Sequence, residues 1–318
     1  MHSRLTSARS GHKATYSVAW ALAAGAFLLI FLLTGCEARQ EPPYAPTFGK
    51  TPPRTGQTYV VGVHPLHNPK RLHEIFGPIT DHLTANIPGV TFELEASRSY
   101  AAFDEKLYAR RFDFALPNPY QTVLSLEHGY HVFGKMGDDE NFRGIILTRK
   151  DSGIQTVADL KGRAVSFPAP TALAATMMPQ LFLQTHGVDV MHELDLRYVG
   201  SQESSIMNVY LGDTAAGSTW PPPWNALVKE RPELADALQV QWQTEPLPNN
   251  GLVVRDDVPD ELVAKVGELL FALHTHPQGR AWLQRMELSR FEAANDEAYA
   301  PVVHFLRDFD ETVRPIER

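Results

Sequence analysis

Short apolar segments that look like strands alternate with amphipathic segments that look like helices, and this alternation constrains the fold more than any other feature. Residues 59–63 (YVVGV) have the pattern of a buried strand. Residues 70–86 then place apolar side chains, from Leu72 to Leu83, at helical spacing, and 90–96 (VTFELEA) alternates as a strand. Such alternation predicts an α/β protein with a parallel-type sheet and helices on both faces.

The pattern continues far enough along the chain to fit two sheets. Further strands are predicted at 113–120, 142–149, 164–167, 194–199, 214–220, 240–244 and 251–255. Further helices are predicted at 101–111, 121–128, 173–186 and 203–211, and from Pro259 to the end with a break near Pro277.

The first 35 residues stand apart from the rest and predict a lipoprotein signal peptide. A positively charged start is followed by an apolar stretch that ends in LTGC, which resembles a lipobox. Cys36 is the single cysteine of the chain and is the predicted lipidation site; residues 36–57 are a proline-rich tether. An uncleaved anchor helix is the alternative, since the apolar stretch is just long enough to span a bilayer. Both interpretations place the body outside the cytoplasm, attached to a membrane.

The charge of the body argues against a nucleic-acid partner. The whole chain has a formal net charge of −8. Three of its 29 basic residues and none of its 37 acidic residues lie in the first 35 positions, so the remaining residues carry a more negative net charge than the whole chain. An acidic surface repels nucleic acid and anionic lipid headgroups. We expect a monomer that takes no nucleic acid and touches the membrane only through the lipid on Cys36.

Three stretches in order resemble periplasmic phosphate, phosphite and phosphonate solute-binding proteins of ABC transporters. They are SYAAFDEKLYARRFDFALPNPY, then FRGIILTRKDSGIQTVADLKGRAVSF, then GSQESSIMNVYLGDTAAGSTW. The resemblance implies a type II periplasmic-binding-protein fold, with two α/β lobes joined by two crossing strands near 143–149 and 250–255. The first lobe would hold 58–143 plus 252–318, and the second 144–251.

The resemblance also implies where the ligand binds. In the first lobe it points to Tyr100, Asn118 and Tyr120. In the second lobe it points to the turn with Thr171, Ala172, Leu173 and Ala174, and to Gln202 and Glu203. Three departures stand out, because a hydroxyl-bearing triplet of the family is here Ala-Leu-Ala, a histidine is here Gln202, and Asn118-Pro119 stands in place of a Gly-Pro order. The loss of those hydroxyls removes hydrogen bonds to a phosphate-like group and predicts a divergent ligand.

Two further candidates come from the residues themselves. His64 and His67, in HPLHNP, follow the first strand, at the ligand-facing edge of an open α/β sheet. They are interpreted either as lining a cleft or as closing a turn; a metal site is not predicted, because no HExxH or CxxC pattern accompanies them. Trp220 precedes Pro221-Pro222-Pro223, which is interpreted either as a rigid loop or as an apolar cleft wall.

These features predict a solute-binding lipoprotein that closes its lobes on a small molecule and delivers it to an ABC permease. A periplasmic sensor or carrier that feeds no transporter is the alternative. A metal-dependent enzyme on the same fold, resembling the pyrimidine-precursor synthases, is the third hypothesis. An enzyme is not predicted, since no nucleophile–base pair or phosphate loop is recognisable, and no cofactor is expected.

Overall fold

The computed structural model describes residues 56–316. The predicted signal peptide, Cys36 and all of the predicted tether except residues 56–57 lie outside the described residues. Residues 56–316 belong to one compact unit. Within that range, no helix has both the length and the apolar content that a membrane crossing requires.

The strands and helices follow one another much as the sequence predicts. The strands are β1 (Gln57–Val63), β2 (Val90–Ala96), β3 (Phe114–Leu116), β4 (Tyr130–Met136), β5 (Ile145–Arg149), β6 (Ala164–Phe167), β7 (Asp195–Tyr198), β8 (Ala216–Thr219), β9 (Leu238–Gln243), β10 (Gly251–Arg255) and β11 (Phe291–Ala293). The α-helices are α1 (Pro69–Asn86), α2 (Tyr100–Tyr108), α3 (Pro119–Leu126), α4 (Met178–Thr185), α5 (Val190–Glu193), α6 (Gln202–Leu211), α7 (Pro221–Glu230), α8 (Glu233–Ala237), α9 (Asp260–Phe271), α10 (Pro277–Arg285) and α11 (Ala300–Thr312). Short 3₁₀ turns occupy Asp139–Asn141, Val157–Leu160, Leu273–Thr275 and Asp296–Tyr299, and a π-helical turn occupies Leu173–Met177.

The strands form two mixed sheets. The first sheet has the order β11-β4-β10-β3-β1-β2, and the second has the order β7-β6-β8-β5-β9. Each sheet carries its own apolar core, so the unit has a first lobe and a second lobe, each named by its sheet. The two α/β lobes confirm the predicted fold class.

The expectation of parallel-type sheets is wrong in part. Strands β1, β2 and β3 run parallel, but β10 is antiparallel to β3; likewise β5 is antiparallel to β8. The chain enters β10 from the second lobe, so β10 starts at the edge of the first sheet where β3 ends. The chain enters β5 from the first lobe, and Ile145, the first residue of β5, pairs with Thr219 at the end of β8. A strand that enters at that edge must run in the opposite direction to its neighbours.

Two linking segments join the lobes, at 137–144 and 244–250. These segments lie before the predicted crossing strands, since β5 belongs wholly to the second sheet and β10 wholly to the first. The links hydrogen-bond to each other, with Thr244 N donating to Gly144 O at 2.9 Å and Leu247 N donating to Phe142 O at 3.0 Å. The crossing is therefore a short two-stranded connection beside the lobe junction.

Several helices begin at residues that cap their first turn. Asn68, Ser99 and Ser201 accept side-chain hydrogen bonds from the backbone of Arg71, Ala102 and Ser204, respectively. Asn118 and Gln121 form a reciprocal capping box at the start of α3. These caps all follow the C-terminal ends of strands, so they collect at the edges of the two sheets that face each other.

Three local features differ from the sequence expectation. The helix predicted at 173–186 starts as a π-helical turn before α4. Pro221, Pro222 and Pro223 form the first turn of α7 instead of a rigid loop, because proline lacks the N–H that a first turn leaves unpaired. Strands β4 and β11 were not expected; β11 is only three residues long and interrupts the predicted C-terminal helical region.

Gly217 in β8 allows α6 to pack directly on the second sheet. A Cβ at this position would come within 2.6 Å of Val209 Cγ2 and 2.7 Å of Ser205 O, and would also collide with Ser166 Oγ. We expect Gly217→Ala to lower the free energy of unfolding by about 1–3 kcal/mol through overpacking. Urea unfolding measures this change. The control is Gly77→Ala in α1, whose Cβ would meet nothing within 4 Å; an equal loss in both variants would contradict the packing argument.

Candidate functional site

A small cavity lies where the two lobes meet, at the C-terminal ends of β1, β3 and β8. Its volume is about 10 Å³, roughly the space that one water requires. Side chains from both lobes and from both links form its wall: His64, Tyr100, Asn118, Phe142, Ala172, Leu173, Ala174, Ala175, Gln202, Trp220 and Asn250. The carboxyl edges of α/β sheets are the usual position of ligand sites, so this cavity is the candidate site.

Most of the residues proposed from the sequence come together at this cavity. From the first lobe, these are His64, Tyr100 and Asn118. From the second lobe, they are Ala172, Leu173, Ala174, Gln202 and Trp220. Whether they bind a ligand stays a prediction, but the fold brings residues as distant as 64 and 220 to one place.

Four proposed residues lie elsewhere. His67 and Glu203 line a neighbouring groove of about 70 Å³, together with Arg71. Tyr120 is buried in the apolar cluster beside the cavity. Thr171 contributes its backbone carbonyl to a contact between the lobes, and its side chain does not line the cavity.

Phe142, Ala175 and Asn250 also line the cavity and were missed from the sequence. Phe142 and Asn250 lie in the two links, and Phe142 packs edge-on against Trp220, with ring centroids 5.4 Å apart. The predicted crossing near 143–149 borders Phe142, and the one near 250–255 begins at Asn250. Their position at the predicted crossings was the signal that could have identified them as lining residues, because a link between lobes runs along the cleft.

Asn118 connects the lobes through its carboxamide. Its Nδ2 donates to Thr171 O at 3.0 Å, while its Oδ1 accepts from Gln121 N. Gln121 in turn donates through Nε2 to Asp104 Oδ1 at 2.5 Å. Burial raises the pKa of Asp104 to about 6, although the bond from Gln121 favours the charged form.

Gln202 and Tyr100 make a second contact between the lobes. Gln202 Oε1 accepts from Thr219 Oγ1 at 2.8 Å, and its side chain hydrogen-bonds the Tyr100 hydroxyl. The contact with Gln202 opposes the rise in the pKa of Tyr100, as a donor to the phenolic oxygen does, so the amide NH₂ of Gln202 is the group that faces Tyr100. Burial raises the pKa of Tyr100 to about 12, so its hydroxyl stays protonated and remains a hydrogen-bond donor.

His64 is buried and neutral. Its Nδ1 lies 2.9 Å from Leu116 O, and a carbonyl can only accept, so Nδ1 carries the proton. Burial lowers the pKa of His64 to about 4, and the bond to Leu116 opposes this shift only in part. In the neutral ring the other nitrogen, Nε2, is a hydrogen-bond acceptor.

The turn before α4 contributes backbone groups in place of hydroxyls. Ala172 packs with Tyr100, Ala169 and Ala175, while Leu173 belongs to the apolar cluster that contains Trp220. Leu173, Ala174 and Ala175 open a helical segment, so their N–H groups have no acceptor in a preceding turn. Such groups form weak but general sites for an anion or a carbonyl oxygen.

The cavity wall contains no formally charged side chain, because its only titratable groups are the neutral His64 and Tyr100. Among residues 56–316, no three His, Cys, Asp or Glu side chains are grouped as a metal site would require. The wall can therefore offer hydrogen bonds, helix N–H groups and apolar contacts.

Two mixed α/β sheets, two links and a cavity at their junction define the class as a periplasmic-binding-protein fold. A phosphonate ABC transporter binding protein from Pseudomonas aeruginosa superposes with a TM-score of 0.74 at 17% identity, covering 81% of this chain and 88% of that one. PhnD1 from Prochlorococcus marinus, in complex with methylphosphonate, also gives 0.74 at 17% identity, covering 80% and 99%. The aliphatic sulphonate binding protein of Escherichia coli gives 0.54 at 15% identity, covering 80% and 91%.

The family model for the periplasmic substrate-binding protein of phosphonate ABC transporters matches residues 61–299, well over half of the chain. The chain belongs to this family. Its members are extracytoplasmic solute-binding components of transporters, and the family is not one of enzymes.

The neutral state of His64 makes stability depend on pH. Its pKa in the folded protein, about 4, lies below the unfolded value of 6.5, so the unfolded chain gains a proton first as the pH falls. Neutral His64 contributes about 3 kcal/mol to the free energy of unfolding. This contribution is complete above about pH 6.5 and is lost as the pH falls toward 4. We expect His64→Asn, which retains an N–H for Leu116 O, to flatten the acid side of the curve of unfolding free energy against pH. His73→Asn, at an exposed position of α1, is the control; an unchanged slope in His64→Asn would contradict the assignment.

Proposed function

We propose that this protein is an extracytoplasmic solute-binding lipoprotein that captures a small molecule between its lobes and delivers it to an ABC permease. One observation carries the proposal: a cavity walled by both lobes and bridged by Asn118–Thr171 and Tyr100–Gln202 contacts. A ligand that contacts both walls stabilises the closed arrangement over an open one.

Lobe motion follows from the size of the cavity. A space of about 10 Å³ holds no more than one water, so a larger solute enters only if the walls separate. The lobes would be 58–143 plus 252–318 and 144–251, moving about the links at 137–144 and 244–250. Gly144 lies in one link, where a Cβ would come within 2.6 Å of Ala174 O, so the link passes close to the turn before α4.

The lipid anchor is the second part of the proposal. The LTGC sequence supports acylation of Cys36, and the polar, proline-rich residues 36–57 suit a tether. A tethered binding protein remains near a membrane permease, which raises the effective concentration of the loaded protein at its partner.

The ligand is proposed to differ from a bare phosphate. PhnD1 binds methylphosphonate, and the helix start at Leu173 offers N–H groups to an oxyanion. The wall, however, carries neither hydroxyls at Ala172, Leu173 and Ala174 nor a cationic side chain. A fully dehydrated dianion would place two uncompensated charges there, whereas a singly charged solute would place one and a neutral solute none, so its burial would cost less.

A thermal-shift screen tests the binding function. The panel contains phosphate, phosphite, methylphosphonate, simple sulfonates, carboxylates and amino acids. A true ligand at about 100 times its Kd should add roughly 2.7 kcal/mol to the unfolding free energy. We expect an organic solute, and not phosphate, to give the largest shift. We expect Gln202→Leu to abolish that shift and Glu203→Gln, which alters an exposed neighbour outside the cavity, to preserve it. A largest shift with phosphate, or no shift with any compound, would contradict the proposal.

Two ion pairs hold the closed arrangement at the surface. Arg71 of α1 lies 2.6 Å from Glu230 of α7, and Lys229 of α7 lies 2.7 Å from Glu287 after α10. Both pairs cross between lobes, and helix α7 begins next to Trp220 in the cavity wall. Movement of α7 therefore couples the cavity to these two surface contacts.

We expect the double variant Glu230→Gln/Glu287→Gln to open the ligand-free protein. Exposed pairs contribute about 0.5 kcal/mol each, so losing both shifts the open-to-closed ratio about fivefold. Small-angle X-ray scattering measures the resulting increase in the radius of gyration, and high salt should cause a similar increase in the unmodified protein. Glu193→Gln, which breaks a pair with Lys161 inside the second lobe, is the control. If the double variant kept the original radius, the pairs would have no role in closure.

A further inference from the structure

Asn250 occupies a distinctive place in the cavity wall. It is the last residue before β10 and is completely buried. Its backbone is held on both sides: its N–H donates to Asn249 Oδ1 at 2.8 Å, and its carbonyl accepts from Met136 N at 2.9 Å. The position of its side chain is therefore set by the link and by β4.

The side-chain oxygen of Asn250 has no hydrogen-bond partner within residues 56–316, although it is sealed from bulk solvent. The NH₂ group lies 3.3 Å from Met136 Sδ. A thioether sulfur accepts but cannot donate, so the NH₂ must face Met136 and the oxygen must face away from it. An unpaired buried acceptor is rare in proteins and calls for an explanation at each occurrence.

A second acceptor belongs to the same wall. His64 uses its Nδ1 proton on Leu116 O, which leaves Nε2 as a lone-pair acceptor. The opposite wall, from the second lobe, contributes the N–H groups at the start of the helical segment at Leu173. The first-lobe side of the cavity thus offers two acceptors beside the Tyr100 hydroxyl, and the second-lobe side offers donors.

From this arrangement we propose that the ligand carries an uncharged hydrogen-bond donor, a hydroxyl or an amide N–H, that binds Asn250 Oδ1. The acceptor end of the ligand, an oxyanion or a carbonyl, meets the N–H groups at Leu173 and Ala174. The inference rests on the proposed binding function and specifies the chemical class of its solute.

A neutral donor fits this wall better than an ammonium group. No carboxylate lines the cavity, and Asp104, the nearest acid in the network, already accepts from Gln121. Burying an ammonium group beside a carboxamide alone would leave its charge without a counterion. A hydroxyl satisfies Asn250 Oδ1 without that penalty.

Isothermal titration calorimetry with matched probes tests the inference. The first pair is methylphosphonate and hydroxymethylphosphonate, the second is acetate and glycolate, and aminomethylphosphonate supplies a charged donor. We expect the hydroxyl-bearing member of at least one pair to bind about tenfold more tightly than its partner, with no such gain for aminomethylphosphonate. Equal or weaker binding of both hydroxyl-bearing members would overturn this inference and leave the binding function standing. Failure of every probe to bind would overturn the binding function and the inference together.

Two variants at position 250 locate the effect. Asn250→Leu keeps the approximate shape but removes the acceptor, so the two members of each pair should bind this variant with equal affinity. Asn250→Asp supplies a carboxylate and should transfer the preference to aminomethylphosphonate. Persistence of the hydroxyl preference in folded Asn250→Leu, or no gain for aminomethylphosphonate in folded Asn250→Asp, would overturn the assignment to Asn250.

Gln180 offers a matched control. It is also fully buried, its Oε1 is also unpartnered among the described residues, and its Nε2 donates to Tyr198 OH, but it does not line the cavity. Gln180→Leu should therefore preserve the tenfold preference. Loss of the preference in this variant would show that it does not depend on the acceptor in the cavity wall.

Discussion

The carboxamide of Asn118 is the contact on which the arrangement of the site depends. Its oxygen caps α3, and its nitrogen donates to Thr171 O in the other lobe. One side chain thus orders a helix start in the first lobe and holds the turn before α4 against it. Because a buried carboxamide needs partners for both its ends, the two roles stabilise each other.

The direction of the strands explains why the site lies where it does. Both sheets end their parallel strands at the junction between lobes, and the strands that follow the links, β5 and β10, begin there and run the opposite way. Helix starts and links therefore collect around one cavity. The C-terminal region supports it from outside: Tyr299 OH donates to Asn249 O, and Arg314 donates to Pro170 O. Residues near the end of the chain thus brace one link and the turn before α4.

Periodicity alone was enough to predict the fold class and most elements, because strand and helix patterns are local properties. It failed where tertiary contacts decide. Strand β11 is too short to leave a pattern, and the prolines after Trp220 favour a loop or a helix start equally until the chain beyond them is seen to pack as α7. Family resemblance placed Tyr100, Asn118 and Gln202 at one edge. The resemblance also suggested Glu203, and the position after the first strand suggested His67; both lie outside the wall, in the adjacent groove.

Phe142 and Asn250 show the limit most clearly, since nothing in their local sequence distinguishes a lining residue from any other residue in a link. The sequence by itself determined the α/β class, the family and the absence of hydroxyls at Ala172, Leu173 and Ala174. Only the tertiary structure decided that His64 offers an acceptor and that Asn250 retains an unpaired oxygen. Those properties depend on what surrounds each atom: burial and Leu116 O set the state of His64, and Met136 Sδ sets the orientation of Asn250. Such neighbours come from distant parts of the chain and become known only when the chain is folded.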